Sequence, residues 1–111
     1  MANPERTNKV PVLDVHGAFI RRTDWSGANL EGANLSRADC TDALFRDVNF
    51  QNARLTGAIL RGADLTGAKN LTVRQLASAI VDERTRLPSY IDRRHLLSEI
   101  EILRQTEGAH P

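Results

Sequence analysis

From residue 18 to residue 68, small apolar, polar and large apolar side chains follow one another in a unit that restarts every five residues. Ala stands at positions 18, 28, 33, 38, 43, 53, 58, 63 and 68, with Thr23 and Val48 filling the two gaps. Two residues after each come Ile20, Trp25, Leu30, Leu35, Cys40, Phe45, Phe50, Leu55, Leu60 and Leu65. Between the two apolar positions the residue is mostly Asp or Asn, as at Asp24, Asn29, Asn34, Asp39, Asn49 and Asp64. Gly often closes the unit, at 27, 32, 57, 62 and 67. A five-residue period fits no helix, whose faces recur at about 3.6 residues. It fits a short strand followed by a corner. In a strand alternate side chains point the same way, so Ala33 and Leu35 point inward while Asn34 and Ser36 point outward. The fifth residue turns the corner and resets the alternation, and Gly suits that turn because it tolerates unusual backbone angles. A flat sheet has no reason to reset every five residues. A chain coiling around its own axis does.

Units such as ANLEG, ANLSR, ADLTG and AILRG resemble the pentapeptide repeat family, whose unit reads roughly Ala, Asp or Asn, Leu and two variable residues. The resemblance implies an all-β solenoid, a right-handed square (quadrilateral) parallel β-helix with four units per coil. It places about three short coils over residues 13–71. Residues twenty apart then stack, giving inner columns of Val15, Leu35 and Leu55; of Ile20, Cys40 and Leu60; of Trp25, Phe45 and Leu65; and of Leu30, Phe50 and Asn70. The family fixes the fold far better than it fixes a function.

The ends read differently. Residues 1–12 are a polar segment and lead-in, the first nine of them expected to be disordered or loosely attached. Residues 13–17 fit the unit in register and are expected to cover the upper end of the core. Thr72 with Gln75 three residues on is a capping-box pattern, and Val73, Leu76, Ala77 and Ile80 share a helical face. This predicts a capping helix over residues 72–81 lying across the lower end of the core. The string from Asn70 through Pro88 also resembles the end cap found on many family members. A loop over residues 82–88 follows. Ser89 is read as the cap of a C-terminal amphipathic helix over residues 89–105, before a tail over residues 106–111. On that helix Leu96, Ile100 and Leu103 line one stripe with Leu97 at its edge, while Ile91, His95 and Ile102 form a weaker stripe on the opposite side. Two apolar stripes on one helix make Ile91, Leu96, Ile100, Ile102 and Leu103 the candidate interface, for a protein partner or a homodimer.

Composition narrows the function further. The 111 residues suit one domain, and their net charge of +1 creates no bulk field toward nucleic acid or membrane. The single Cys excludes an internal disulfide. No apolar run approaches the roughly 20 residues of a membrane span, and no signal-peptide stretch opens the chain, so the expected location is cytoplasmic. His16, His95 and His110 show no ligand spacing. Cys40 falls in a core column and reads as a small buried hydrophobe. No cofactor, metal site, catalytic residue or small-molecule substrate is expected. Phe19, Leu44 and Ile59 occupy the outward position usually held by Asp or Asn, and Phe19 and Ile59 share a column with Asp39 between them.

Some family members imitate duplex DNA and bind DNA gyrase. That reading is disfavoured here by the short repeat region and by charges of both signs on the same columns, such as Arg22 beside Asp42. Nucleic-acid binding through the basic C-terminal region (Arg84, Arg86, Arg93 and Arg94) is the other alternative, set against ordinary solvated surface. The sequence reads best as a non-catalytic module for protein–protein contact or scaffolding.

Overall fold

The computed structural model describes residues 12–108. From Asp14 to Lys69 the backbone pairs with itself in parallel at a constant step of twenty residues. Asp14, Asn34 and Arg54 bridge in one column, and Phe19, Asp39 and Ile59 in a second. Asp24, Leu44 and Asp64 make the third, and Asn29, Asn49 and Lys69 the fourth. A twenty-residue step taken in five-residue units leaves four faces per coil. Each face spares one residue for a β-bridge, and the corner residue adds a further bond to the next coil, as from Arg37 N to Thr56 O at 2.9 Å. The N–H at the Ala position donates to the carbonyl three residues back, as from Ala38 to Leu35 at 3.0 Å. The residue before it sits in the left-handed region, with φ between 57° and 78° at 17, 22, 27, 32, 37, 42, 47, 52, 57, 62 and 67. Gly supplies six of these corners, and Arg22, Arg37, Asp42, Asp47 and Asn52 adopt the same conformation at the other five.

The polar residue of the unit has a local task. At Asp14, Asp24, Asn29, Asn34, Asp39, Asn49 and Asp64 a side-chain oxygen accepts the N–H two residues on, at 2.9–3.2 Å. This is the Asx turn, in which a short carboxylate or amide stands in for a backbone acceptor. It satisfies an N–H that the ladder leaves over.

Inside, the columns close-pack. Leu35, Cys40, Phe45, Phe50, Leu55, Leu60 and Leu65 are at most 2% exposed. Phe45 and Phe50 meet with ring centroids 5.6 Å apart, tilted by 56°. The first coil is less enclosed: Leu30 is buried, but Val15, Ile20 and Trp25 are only partly so. The unit at 13–17 belongs to the ladder through the Asp14–Asn34 bridge, as the in-register fit expects, and is the first unit of the first coil. Val12 and Leu13 remain 58% and 37% exposed. The expectation for the first nine residues lies outside the described residues.

The fourth column corrects the expected register. Asn70 does not point inward: it is exposed at φ 58°, and Leu71, 3% exposed, takes the core position beneath Phe50. The slip of one residue lets Asn70 continue an amide ladder outside, donating to Asn49 at 2.9 Å while Asn49 donates to Asn29 at 3.0 Å. It also keeps an amide out of an apolar interior, where its polar atoms would lack partners.

Below the last coil the chain satisfies the open backbone edge bond by bond. Thr72 and Gln75 form the capping box of α1, Val73–Ala77. The side-chain amide of Gln75 also donates to Phe50 O and Ala53 O at 2.8 and 3.0 Å. The helix stops well short of residue 81 because Ile80 is needed elsewhere. Its backbone accepts from Leu60 N at 2.7 Å and donates to Ala58 O at 2.8 Å, and it bridges Ile59. Arg86 does the same for Leu65 and Ala63, and bridges Asp64. The loop between them is a tight turn on Asp82, whose carboxylate accepts from Gly62 N, Arg84 N and Thr85 N at 3.0–3.1 Å. Thr85, 1% exposed, donates its hydroxyl to Leu60 O at 2.7 Å. Tyr90 closes the last unit, its hydroxyl donating to Ala68 O at 2.6 Å and accepting from Leu71 N at 3.1 Å. The second helix, α2, is Arg93–Gly108. Asp92, not Ser89, caps it by accepting Arg94 N at 2.9 Å, since residues 89 and 90 are spent in the turn that positions Tyr90. The described part of the expected tail, up to Gly108, is the end of this helix.

Candidate interaction surfaces

Two kinds of site residue came from the sequence, and the structure separates them. The core set lies in the interior: Leu30, Leu35, Cys40, Phe45, Phe50, Leu55, Leu60 and Leu65 are buried, with Ile20 and Trp25 packed against them at the less enclosed end. Trp25 meets its indole hydrogen-bonding need locally, donating to the Thr23 hydroxyl at 2.7 Å. Cys40 is 1% exposed, and burial, with a smaller contribution from the charge of Asp39, pushes its thiol up to about 12. A thiol in that state presents no thiolate to a substrate at neutral pH.

The interface set divides. Ile91, 8% exposed, precedes α2 and packs with Leu96, which is fully buried, into the lower end of the core. Ile91 therefore cannot share an outer stripe with Ile102, which is correct for a residue in a turn rather than on the helix. Ile100 is partly buried. Leu97, Ile102 and Leu103 are 55%, 51% and 40% exposed. Leu103 shares the side of Leu96 and Ile100 and lies near Thr56, Ala77 and Ser78, but these only partly cover it, and residues 101–106 are all exposed. Open grooves flank its inner side. One is lined by Val81, Asp82, Glu83, Arg93, Leu97 and Ile100, another by Thr56, Ala77, Ser78, Ile100 and Leu103, with Arg104 reaching both. Arg93 ties the helix start down by donating to the carbonyls of Asp82, at 3.3 Å, and of Thr85.

On the solenoid faces, charges pair rather than accumulate. Arg46 contacts Asp64 at 2.6 Å, Arg21 contacts Asp39 at 3.6 Å, and Arg84 reaches Asp42 and Asp82 at 3.3 and 3.5 Å. Asp64 is 5% exposed. Burial pushes its carboxyl up, but hydrogen bonds from Thr66 and Arg46 outweigh that and hold it below the ordinary value. Among the described residues no three of His, Cys, Asp and Glu gather closely enough to hold a metal ion. No helix there is long and apolar enough to cross a membrane. The surface that sequence reasoning left undecided is the Phe19 column. It now includes Ile80 through the Ile59–Ile80 bridge, and Phe19 is 86% exposed.

The family described as Pentapeptide repeats matches this chain in eight copies, over residues 16–52 and 33–69. No curated protein matches. Among solved structures, the pentapeptide repeat protein Rfr23 from the cyanobacterium Cyanothece 51142 is 30% identical, with a TM-score of 0.61 over 69% of this chain and 52% of that one. The chain thus spans about half the length of that relative. Another similar structure is alr5209, a pentapeptide repeat protein from Nostoc Pcc 7120, at 22% identity and a TM-score of 0.30 over 77% of this chain and 82% of that one. With its unit matched in sequence and its coils built on the same twenty-residue step, this chain belongs to the pentapeptide repeat family, whose members fold as right-handed quadrilateral β-helices.

Proposed function

We propose that this pentapeptide repeat protein is a non-catalytic interaction module: a rigid block of about three coils, closed below by a two-helix cap, that meets a protein partner or a second copy through α2. The observation that carries the reading is the apolar row that α2 leaves open: Leu97, Ile102 and Leu103 are 55%, 51% and 40% exposed beside the partly buried Ile100. The apolar area these side chains leave exposed contributes nothing to the monomer, whereas its burial against another surface stabilises by about 25 cal/mol per Å². The reading includes a cytoplasmic location and no small-molecule substrate. Gyrase binding by DNA mimicry fits poorly, because arginines and aspartates alternate along the faces and pair with each other. Nucleic-acid binding by the C-terminal arginines fits poorly too, because Arg84 and Arg93 are engaged with the cap itself.

Light scattering over a concentration series tests the proposal. A second copy predicts a dimer that Ile102→Glu and Leu103→Glu each convert to monomer without loss of fold. A monomer at every concentration removes the second copy. In a supercoiling assay the protein should neither inhibit gyrase nor protect it from a quinolone; activity at equimolar protein or below would restore DNA mimicry.

A further inference from the structure

We propose that the face built from residues 18–22, 38–42 and 58–62 is a second docking surface, for an acidic protein segment carrying apolar side chains. It is independent of α2 and stands whether or not the helix pairs.

Where the outward position holds Asp or Asn, the side chain accepts the N–H two residues on, as Asp39 accepts Thr41 N at 3.1 Å. Phe19 and Ile59 cannot, and among the described residues Arg21 N and Arg61 N find no acceptor. Each unit therefore forgoes a stabilising bond. Phe19 gains little burial in return, at 86% exposed; Ile59 is partly buried and Ile80 is 39% exposed, so both still present an apolar edge on the same column. These three apolar side chains stand on one column of one face, joined by the bridges Phe19–Asp39, Asp39–Ile59 and Ile59–Ile80. At about 4.8 Å per rung, Phe19 and Ile59 lie about 10 Å apart, within reach of one bound segment. The fold explains neither their chemistry nor their alignment; contact with a partner explains both.

The surrounding charges select the partner. Arg21 and Arg61 flank the column on either side of Thr41, and Arg22 stands at the adjoining corner. Arg21 is shared with Asp39 at 3.6 Å, and Asp42, on the corner column of Arg22, is taken up by Arg84 at 3.3 Å, whereas Arg22 and Arg61 enter no ion pair among the described residues. They remain able to meet carboxylates. Asp39 sits in the middle of the column, fixed by the Thr41 hydroxyl at 2.6 Å. A continuous phosphate backbone laid along the face would cross that carboxylate. Discrete carboxylates beside apolar side chains need not, which favours an acidic protein segment over nucleic acid.

A random peptide library displayed on phage tests this, selected on the wild-type protein and counter-selected on the Phe19→Asn/Ile59→Asn variant. Asn is chosen because it restores the turn bond without placing a second charge against Asp39. The enriched peptides should combine Leu, Ile, Val or Phe with Asp or Glu. A synthetic winner should bind wild type at least ten-fold more tightly than it binds either the double variant or Arg61→Glu, and less tightly as salt rises. The double variant should melt at or above the wild-type temperature. A lower melting point would assign Phe19 and Ile59 to the fold and overturn the proposal. So would a failure to enrich any sequence, a neutral or basic consensus, or tighter binding of single- or double-stranded DNA oligonucleotides than of the winning peptide.

Discussion

The corner residues show how much one position can decide. At Gly62 and Gly67 a Cβ would strike the carboxylate oxygens of Asp42 and Asp47, one coil above. Both glycines also hold positive φ, 67° and 73°, which costs an L side chain about 1–2 kcal/mol. Gly62→Ala should therefore destabilise by about 1–2 kcal/mol, because moving Asp42 also loosens its contact with Arg84 and outweighs the roughly 0.5–1 kcal/mol gained in chain entropy. Arg37→Gly runs the other way at φ 60°: relief of about 1–2 kcal/mol is offset by the roughly 0.5–1 kcal/mol that glycine loses in chain entropy. The net effect should be neutral to slightly stabilising. Denaturant melts of the two variants check both signs. Cys40 gives a second residue-scale expectation. In native buffer it should react slowly with a thiol reagent and quickly once denaturant is added; fast labelling of the folded protein would place it outside the core. The five-residue period made the core columns and the glycine corners legible. By register it also put Arg37 at a corner, but it could not show that a non-glycine corner keeps the left-handed φ, because arginine carries no signal for it and the neighbouring turns impose it. Nor could it show why Asp and Asn recur, since the Asx bond is a matter of geometry rather than of hydrophobic pattern.

Among the elements, the lower cap depends on a few polar side chains standing in for a missing coil. Gln75 has two tasks, closing the capping box with Thr72 and donating to two carbonyls of the coil above. Gln75→Leu should leave Ala53 O and the Thr72 N–H without their partners, with Phe50 O keeping only Ala53 N, and cost about 2–3 kcal/mol. Thermal melts should show the loss while the circular dichroism of the folded state stays close to wild type; an unchanged melting temperature would mean that water replaces the amide at no cost. The capping box itself was readable from the Thr72–Gln75 spacing. The rest of the cap was not. Ile80 and Arg86 pair with residues twenty-one and twenty-two positions earlier, so they fall outside the register that a repeat reveals. The helical pattern through Ile80 was real in the sequence, but unpaired backbone at Ala58 and Leu60 outcompeted it. Asn70 slipped for a related reason: an amide at a core position prefers the ladder of amides outside. The helix start moved to Asp92 because Tyr90, in the preceding turn, holds the last unit.

At the scale of the whole molecule, acid should unfold the protein through its aspartates. Asp14, Asp24, Asp39, Asp64 and Asp82 are all held below the ordinary value of 3.8. Each depressed carboxyl contributes stability that is fully present above the unfolded value and is lost as pH falls through the folded one. The melting temperature should therefore be flat, as far as these groups go, from neutral pH to about pH 5, and fall steeply below about pH 4. Asp64→Asn should flatten that fall and lower the neutral-pH plateau; a profile of unchanged shape would remove Asp64 from the acid response. The constant twenty-residue step carries a different consequence, for how such a chain can change length. Duplicating twenty residues adds a complete ring and leaves the two ends facing the same way. Duplicating five adds one side of the square, and everything below the insertion swings through a quarter turn. The direction in which α2 points, relative to the column of Phe19 and Ile59, is thus set in ninety-degree clicks by the number of units between them. Lineages that must keep both surfaces in one alignment can lengthen or shorten only by whole rings. Those released from that demand can re-aim the helix in a single step without touching a residue of the core.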